Sequence, residues 1–233
     1  MKIIAHIYTD FSEKFGIPRQ SGLVEGLRGK IIFEPEYRVA EAVKGLEDYS
    51  HLWLLWNFSE AQRETWSPTV RPPRLGGKKR MGVFATRSPF RPNPIGLSCV
   101  LLERIEYDDV LGPVLYVSGV DMLDKTPIYD IKPYLSYCDS HADARCGFAD
   151  AVKDHALEVQ CDAAIAEGMD EKDLETIFEI LRQDPRTAYL EDEQRIWGIT
   201  YGAYNIKFIV SKEQLRILEI KENGRINSDA AEK

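Results

Sequence analysis

Up to about residue 140 the chain offers only short apolar runs: "IIAHIYT", "KIIFEP", "HLWLLWNF", "MGVFAT", "LSCVLLERIEY" and "PVLYVSGVDML", separated by Gly/Pro connectors. Runs of this length, rich in Ile, Val and aromatic residues, pair as strands. So many of them, with no alternating βα units, predict a barrel or a strongly curled sheet. One short helix is expected at "RVAEAVKGLEDY", where Val39, Ala42, Val43 and Leu46 recur at helical spacing and Gly45 weakens the helix without ending it.

Past residue 141 the pattern changes. "ADAVKDHALEVQCDAAIAEG" reads as helix, and "DEKDLETIFEILRQ" as an amphipathic helix with Leu174, Ile177, Phe178 and Leu181 on one side, stopped at Asp184-Pro185. Two strands, "WGITYGAYNIKFIV" and "QLRILEI", follow as a hairpin, and the polar tail "NGRINSDAAEK" is expected to be disordered. The expected fold class is mainly β: an N-terminal β-barrel-like domain over residues 1–141 with a smaller α+β C-terminal domain over residues 142–233.

At 233 residues and 44% hydrophobic content the chain can bury real cores. It contains no apolar run long enough to cross a bilayer as a helix and no signal-peptide pattern at "MKIIAHIYTD", so a cytoplasmic protein without a membrane partner is expected. Cys99, Cys138, Cys146 and Cys161 are widely spaced and never form C-x-x-C, which predicts free thiols and no metal site.

A net charge of −8 argues at first against a nucleic-acid partner. Its distribution argues the other way. Between Glu64 and Glu103 no acidic residue occurs, while Arg71, Arg74, Lys78, Lys79, Arg80, Arg87 and Arg91 all do, so the interval carries +7 and leaves −15 on the remainder. Such a run can be a solvated surface loop, or it can be an anion-binding face on an otherwise repulsive protein.

Within that interval "FATRSPFRPNPIG" sets prolines at 89, 92 and 94 around Arg87 and Arg91. Each proline fixes its own φ and restricts the residue before it, so the segment is a stiff connector. Two guanidiniums fixed on it suit a carboxylate or phosphate, though a plain connector between strands is equally compatible. "FGIPRQSG" offers Arg19 and Gln20 after a proline and, taken alone, is a turn. "VSGVDMLDKTPIYDIKPYL" alternates Asp121, Asp124 and Asp130 with Lys125 and Lys132; surface salt bridging accounts for that pattern, as does a site for a cation or ribose hydroxyls. Asp130, Lys132 and Tyr134 occupy alternate positions, which an extended chain directs to one face.

The strings "KFGIPRQSGLV", "GLEDYSHLWLL", "SPTVRPPRLGG", "MGVFATRSPFRPNPIGLS", "DMLDKTPIYDIKPYL" and "RQDPRTAY", in this order over nearly the whole chain, closely resemble the TsaA/TrmO-like family of S-adenosylmethionine-dependent tRNA methyltransferases. The resemblance implies a β-barrel enzyme outside the Rossmann class, usually a homodimer, that methylates N6 of threonylcarbamoylated adenosine just after the anticodon of threonine tRNA. It implies a cofactor site from Pro18, Arg19, Gln20, Ser59, Glu60 and Arg87 and from Asp121, Met122, Leu123 and Asp124. Asp130 is the candidate proton acceptor for the exocyclic amine, with Lys132 and Tyr134 positioning the base. Arg71, Arg74, Lys78, Lys79, Arg80, Arg91 and Arg186 are the candidate tRNA contacts, with the C-terminal domain orienting the RNA.

Three places depart from the family's wording. Lys125 stands where relatives tend to have glycine, Ser136 replaces a proline, and Ser59-Glu60 replaces a polar pair often containing histidine. The rival readings are a hydrolase on the same barrel, for which no metal cluster or activated nucleophile is visible, and a non-catalytic protein that binds the cofactor or a modified RNA.

Overall fold

In the computed structural model of the chain, which describes residues 1–61, 64–75, 79–186 and 192–222, the N-terminal half closes into a barrel. In chain order its elements are β1 (Ala5–Thr9), β2 (Arg28–Phe33), β3 (His51–Asn57), a two-stranded ribbon of β4 (Thr69–Val70) and β5 (Met81–Gly82), then β6 (Ile95–Asp108), β7 (Gly112–Ser118) and β8 (Thr126–Pro133). Six of them form the closed ring β1-β2-β7-β6-β3-β8, antiparallel at each junction. Closure removes the exposed edges that an open sheet would leave.

The two-residue period of the sequence becomes the inside and outside of this ring. Along β3, Leu52, Leu54 and Trp56 are buried and His51, Trp53, Leu55 and Asn57 face outward. Opposite β3, Gly96, Ser98 and Val100 of β6 point inward. Gly96 has a steric duty there: a Cβ would lie 2.1 Å from the Trp56 ring. β8 carries one surplus residue, since Leu55 pairs with Asp130 and Trp56 with Ile128, leaving Tyr129 as a bulge.

The C-terminal region contains α1 (Ser136–Asp139), β9 (Glu158–Gln160), α2 (Ala163–Ala166), α3 (Glu171–Arg182), β10 (Trp197–Tyr201), β11 (Tyr204–Ser211) and β12 (Gln214–Glu222). A four-stranded sheet in the order β10-β11-β12-β9 packs under α3 through Ile177, Ile180 and Leu181. Asp170 caps α3 by accepting from the amides of Lys172 and Asp173.

Four sequence expectations need correction. The segment at 38–49 is not one helix but short 3-10 turns at Ala40–Val43 and Leu46–Asp48, because Gly45 takes a left-handed φ of 83° and breaks the run. "MGVFAT" supplies only the two residues of β5 before a 3-10 turn at Val83–Ala85. The long helix expected over 149–168 is a 3-10 turn, strand β9 and the one-turn α2, because residues 158–160 pair in parallel with β12 and Leu157 is drawn into the core. "WGITYGAYNIKFIV" is itself a hairpin, β10-β11, so the C-terminal strands form a three-stranded meander. The tail at 223–233 lies outside the described residues.

The connection from β1 to β2 joins the two sheets. Phe11 packs on Tyr201, Phe15 stacks on Trp197 at 5.8 Å, Glu13 accepts from the Thr200 amide, and Asp10 O accepts from the Gly202 amide. One apolar cluster therefore runs from Ile7 and Leu54 in the barrel to Ile206 and Phe208 in the C-terminal sheet. Residues 10–15 are thus held between the two sheets.

Candidate active site at the barrel rim

β6 splits its partners. Its first half pairs only with β3, and pairing with β7 begins at Leu101. The free edge so created is filled by the 18–22 loop: Ser21 Oγ accepts from the Cys99 amide at 3.0 Å, and the Gly22 amide donates to Gly119 O at 2.9 Å. Beside it lie the 119–125 loop and Arg87. Three sequence-distant segments thus meet at one rim of the barrel.

Their side chains interlock. Arg87 donates to Gln20 Oε1, and Gln20 Nε2 to the Arg19 carbonyl. Asp121 accepts a 2.6 Å hydrogen bond from Ser98 Oγ, which in turn accepts from Trp56 Nε1 at 2.9 Å. Burial pushes the Asp121 carboxyl up to about 6, against the opposing pull of Ser98, backbone amides and Arg87. Asp124 is held by the Thr9 amide at 3.1 Å, while the Thr9 hydroxyl donates to the Met122 carbonyl at 3.0 Å. Lys125 takes φ 61°, which explains a preference for glycine at that turn and shows that lysine is accommodated. Glu60 pairs with Lys14, whose Nζ lies 2.8 Å from the Glu60 carbonyl. Ser59 sits on the same 3-10 turn, Ser59–Ala61.

Pro18, Arg19, Gln20, Arg87, Asp121, Met122 and Asp124 are therefore brought together, with Leu123 between the last two. Ser98, Trp56, Ser21 and Thr9 support them and were missed in the sequence. Ser98 had left a signal, being a hydroxyl at an inward position of an apolar strand, where it must find a partner.

The second group lies on the outside of the barrel. The bulge at Tyr129 resets the phase of β8, so Asp130 and Lys132 face outward opposite Leu55 and Trp53. Lys132 Nζ is 2.9 Å from Asp130 Oδ2, with both side chains substantially exposed. Tyr134 packs against Trp53 and His51, and Trp53 Nε1 donates to Asp139 at 2.9 Å. Leu97, Leu55 and Asp130 stand in one row across β6, β3 and β8, which puts Asp130 two strand spacings, about 10 Å, from the strand that carries Ser98. A cleft of about 480 Å³ adjoins this face, lined by Asn57, Trp66, Arg91, Asn93 and Tyr129 among others. Trp66, in the lining of this cleft, is 53% exposed.

The basic residues divide into two kinds. Arg71, Lys79 and Arg80 are exposed on the β4-β5 ribbon, and Arg80 donates to Thr69 Oγ1. Arg91 folds back to the carbonyls of Thr86 and Ser88 and staples the proline loop. Arg74 and Arg186 turn inward to partners in the C-terminal domain: Arg74 donates to the carbonyls of Val152 and Gln183, and Arg186 is paired with Asp184. Lys78 lies outside the described residues.

Comparison with known proteins gives these positions a context. The model of the tRNA-methyltransferase O N-terminal domain matches residues 6–140, and that of the TrmO C-terminal domain matches residues 154–223. A tRNA (adenine(37)-N6)-methyltransferase of Escherichia coli is 40% identical over 94% of this chain and 96% of that protein. A putative S-adenosylmethionine-dependent methyltransferase of Pseudomonas aeruginosa is 40% identical over 93% and 95%. The solved structure of TrmO from P. aeruginosa superposes with a TM-score of 0.75 at 35% identity, covering 94% of this chain and 95% of that one.

Proposed function

The chain belongs to the tRNA-methyltransferase O family, and from that premise we propose that its barrel rim binds S-adenosylmethionine and its outer β3-β8 face receives an adenosine of tRNA. The protein is a tRNA (adenine-N6)-methyltransferase dependent on that cofactor. The finer reading is N6 methylation of threonylcarbamoylated adenosine next to the anticodon of threonine tRNA.

The observation that carries the assignment is the convergence of Arg87, Gln20 and Asp121 at the unpaired edge of β6. The donor set fits the cofactor. Arg87 suits its carboxylate, and Asp121, a carboxylate whose burial outweighs the pull of nearby Arg87, suits its sulfonium or ribose hydroxyls. The amides of Met122 and Leu123 would meet an adenine edge, since their carbonyls already accept from Thr9 and Thr126. When bound, the cofactor supplies a methyl already activated on sulfur.

The chain's own residues then have two tasks. The rim loops hold the donor in one orientation, and the proline-stiffened segment lets Arg87 do so at small entropic cost. Asp130 takes the proton that the exocyclic nitrogen must lose, because that nitrogen's lone pair is delocalised into the ring until deprotonation begins. Lys132 fixes the carboxylate, and Tyr134 and Trp53 offer an aromatic surface beside it. Arg71, Lys79 and Arg80 meet phosphate, and the C-terminal domain orients the RNA.

The β6 flank next to that face supports a homodimer reading. Leu97 and Leu101 of β6 are 49% and 41% exposed there, an apolar strip that a second copy would cover. Light scattering on Leu97→Asp should report monomers if this face is the seat.

The test of function uses methyl-labelled cofactor with threonine tRNA carrying or lacking the threonylcarbamoyl group. Label in the modified tRNA alone is expected. Equal labelling of both would remove the finer specificity, and cofactor binding without transfer would reduce the protein to a sensor.

A further inference from the structure

Arg19 lies in the proposed cofactor loop, yet its guanidinium points away toward the C-terminal domain. Arg19 Nη2 donates at 3.0 Å to the carbonyl of Arg186, which lies in the C-terminal domain just after α3. That carbonyl is unusually well fixed. Asp184 sits at a left-handed φ of 50° with its side chain 12% exposed, and it is gripped by Arg186 Nε at 2.8 Å, Arg186 Nη2 at 3.0 Å and His155 Nε2 at 3.1 Å. The Arg186 amide also donates to Asp184 Oδ1, and Arg74 holds the preceding residue through the Gln183 carbonyl. The turn fixes Arg186 through its amide and its guanidinium, and so places the carbonyl that Arg19 reaches.

Charge gives the clamp a second function. Burial and the nearby Arg74 draw the Arg19 guanidinium below its ordinary range, and Asp184 opposes that shift. Burial raises the Asp184 carboxyl, but hydrogen bonds from Arg186 and His155 outweigh it and leave the group below the usual carboxylate range, so it is the anion among three arginines. Without that charge the buried Arg19 would gain by swinging to solvent.

We propose that Asp184 and Arg186 are positioning residues for the cofactor: the C-terminal domain reaches through Arg19 and Gln20 to set Arg87 opposite Asp121. The continuity is explicit in the hydrogen bonds. Asp184 fixes Arg186, the Arg186 carbonyl fixes Arg19, the Arg19 carbonyl fixes the Gln20 amide, and Gln20 Oε1 receives Arg87. A cleft of about 340 Å³ lined by Phe15, Pro18, Arg19, Gln183 and Arg186 lies along this seam, so Arg19 has space to leave if the carbonyl moves. The seam couples a domain expected to serve RNA to the affinity of the barrel for its small ligand.

The inference rests on the cofactor site read above, and its test separates the two. The Kd of S-adenosylhomocysteine is measured by calorimetry on the full chain, without RNA, for Asp184→Asn, Arg186→Gln, Arg19→Met, Arg19→Lys and Arg87→Ala. Loss of a charge-supported hydrogen bond predicts about a ten-fold weaker Kd for the first three, with Arg19→Lys, which keeps one donor for the carbonyl, recovering part of the loss. In turnover, Asp184→Asn should raise the cofactor KM far more than it lowers kcat. If Arg87→Ala loses the ligand while Asp184→Asn and Arg186→Gln bind as well as the parent, the relay is wrong and the site stands. If Arg87→Ala also binds normally, the site itself is misassigned. Should Asp184→Asn fail to fold, the Arg19 pair decides alone: equal affinity of Arg19→Met and the parent overturns the relay.

Discussion

The rim and the outer face of the barrel are built on the same strands and organised in opposite ways. At the rim, the central polar side chains of the proposed cofactor site already have partners: Arg87 has Gln20, Asp121 has Ser98, Asp124 has the Thr9 amide. On the outer face Asp130 and Lys132 have chiefly each other, and apolar Leu97 and Leu101 stand uncovered. The contrast separates two kinds of work. Binding a small, defined ligand gains from groups fixed in advance. Accepting a large, changeable substrate needs a surface whose partners arrive with it.

The largest effect that would break this contrast is expected at Asp130. Asp130→Ala should lower turnover by about a hundred-fold or more while leaving the Kd of S-adenosylhomocysteine unchanged, the range associated with losing a general base. Equal turnover by the variant would remove the catalytic role from the outer face.

Asp121→Asn sharpens the other side. Cofactor affinity should fall by about ten-fold, the scale of one charged hydrogen bond. The ligand-free protein should meanwhile become more stable at pH 7.5. Because the folded-state pKa is raised from 3.8 to about 6, the folded protein keeps a proton that the unfolded chain has released between those values. This group's contribution is therefore full below about pH 4 and is lost as pH rises through about 6, by up to about 3 kcal/mol. Thermal melts of parent and variant should converge below about pH 4, draw apart between about pH 4 and 6 and hold a steady gap above that, and an offset independent of pH throughout would count against a buried carboxylate.

The smallest effects belong to the ribbon. Arg71→Gln, Lys79→Gln and Arg80→Gln should each weaken tRNA binding a few-fold and flatten its salt dependence by about 0.7 to 0.9 in log-log slope per phosphate contact. Cofactor affinity should not move.

How much of this could be read from the residues varies with what holds each part. The barrel strands were legible because inward and outward positions alternate in β3 and β6, and α3 because Ile177 and Leu181 share a face. Residues 149–168 were not, since their helix-forming composition is overridden by pairing of β9 with β12, a contact more than fifty residues away along the chain. The common face of Asp130, Lys132 and Tyr134 followed from simple alternation. The convergence of Arg19, Arg87 and Asp121 did not, because nothing local says that three loops share a rim; the resemblance supplied it. Nor could composition distinguish Arg71, which faces water, from Arg74, which is drawn inward to two carbonyls.

The single surplus residue in β8 has a consequence for how this chain can vary. Counting from the buried Ile128, an unbroken strand would turn Asp130 and Lys132 to the interior; the bulge at Tyr129 is a half-step of phase that delivers them outside. Sequence change in this strand is thereby gated by parity. Loss of Tyr129 itself would leave a regular strand in the same phase, Ile128 inside and Asp130 outside, whereas straightening the strand with Tyr129 retained would turn everything downstream inside out.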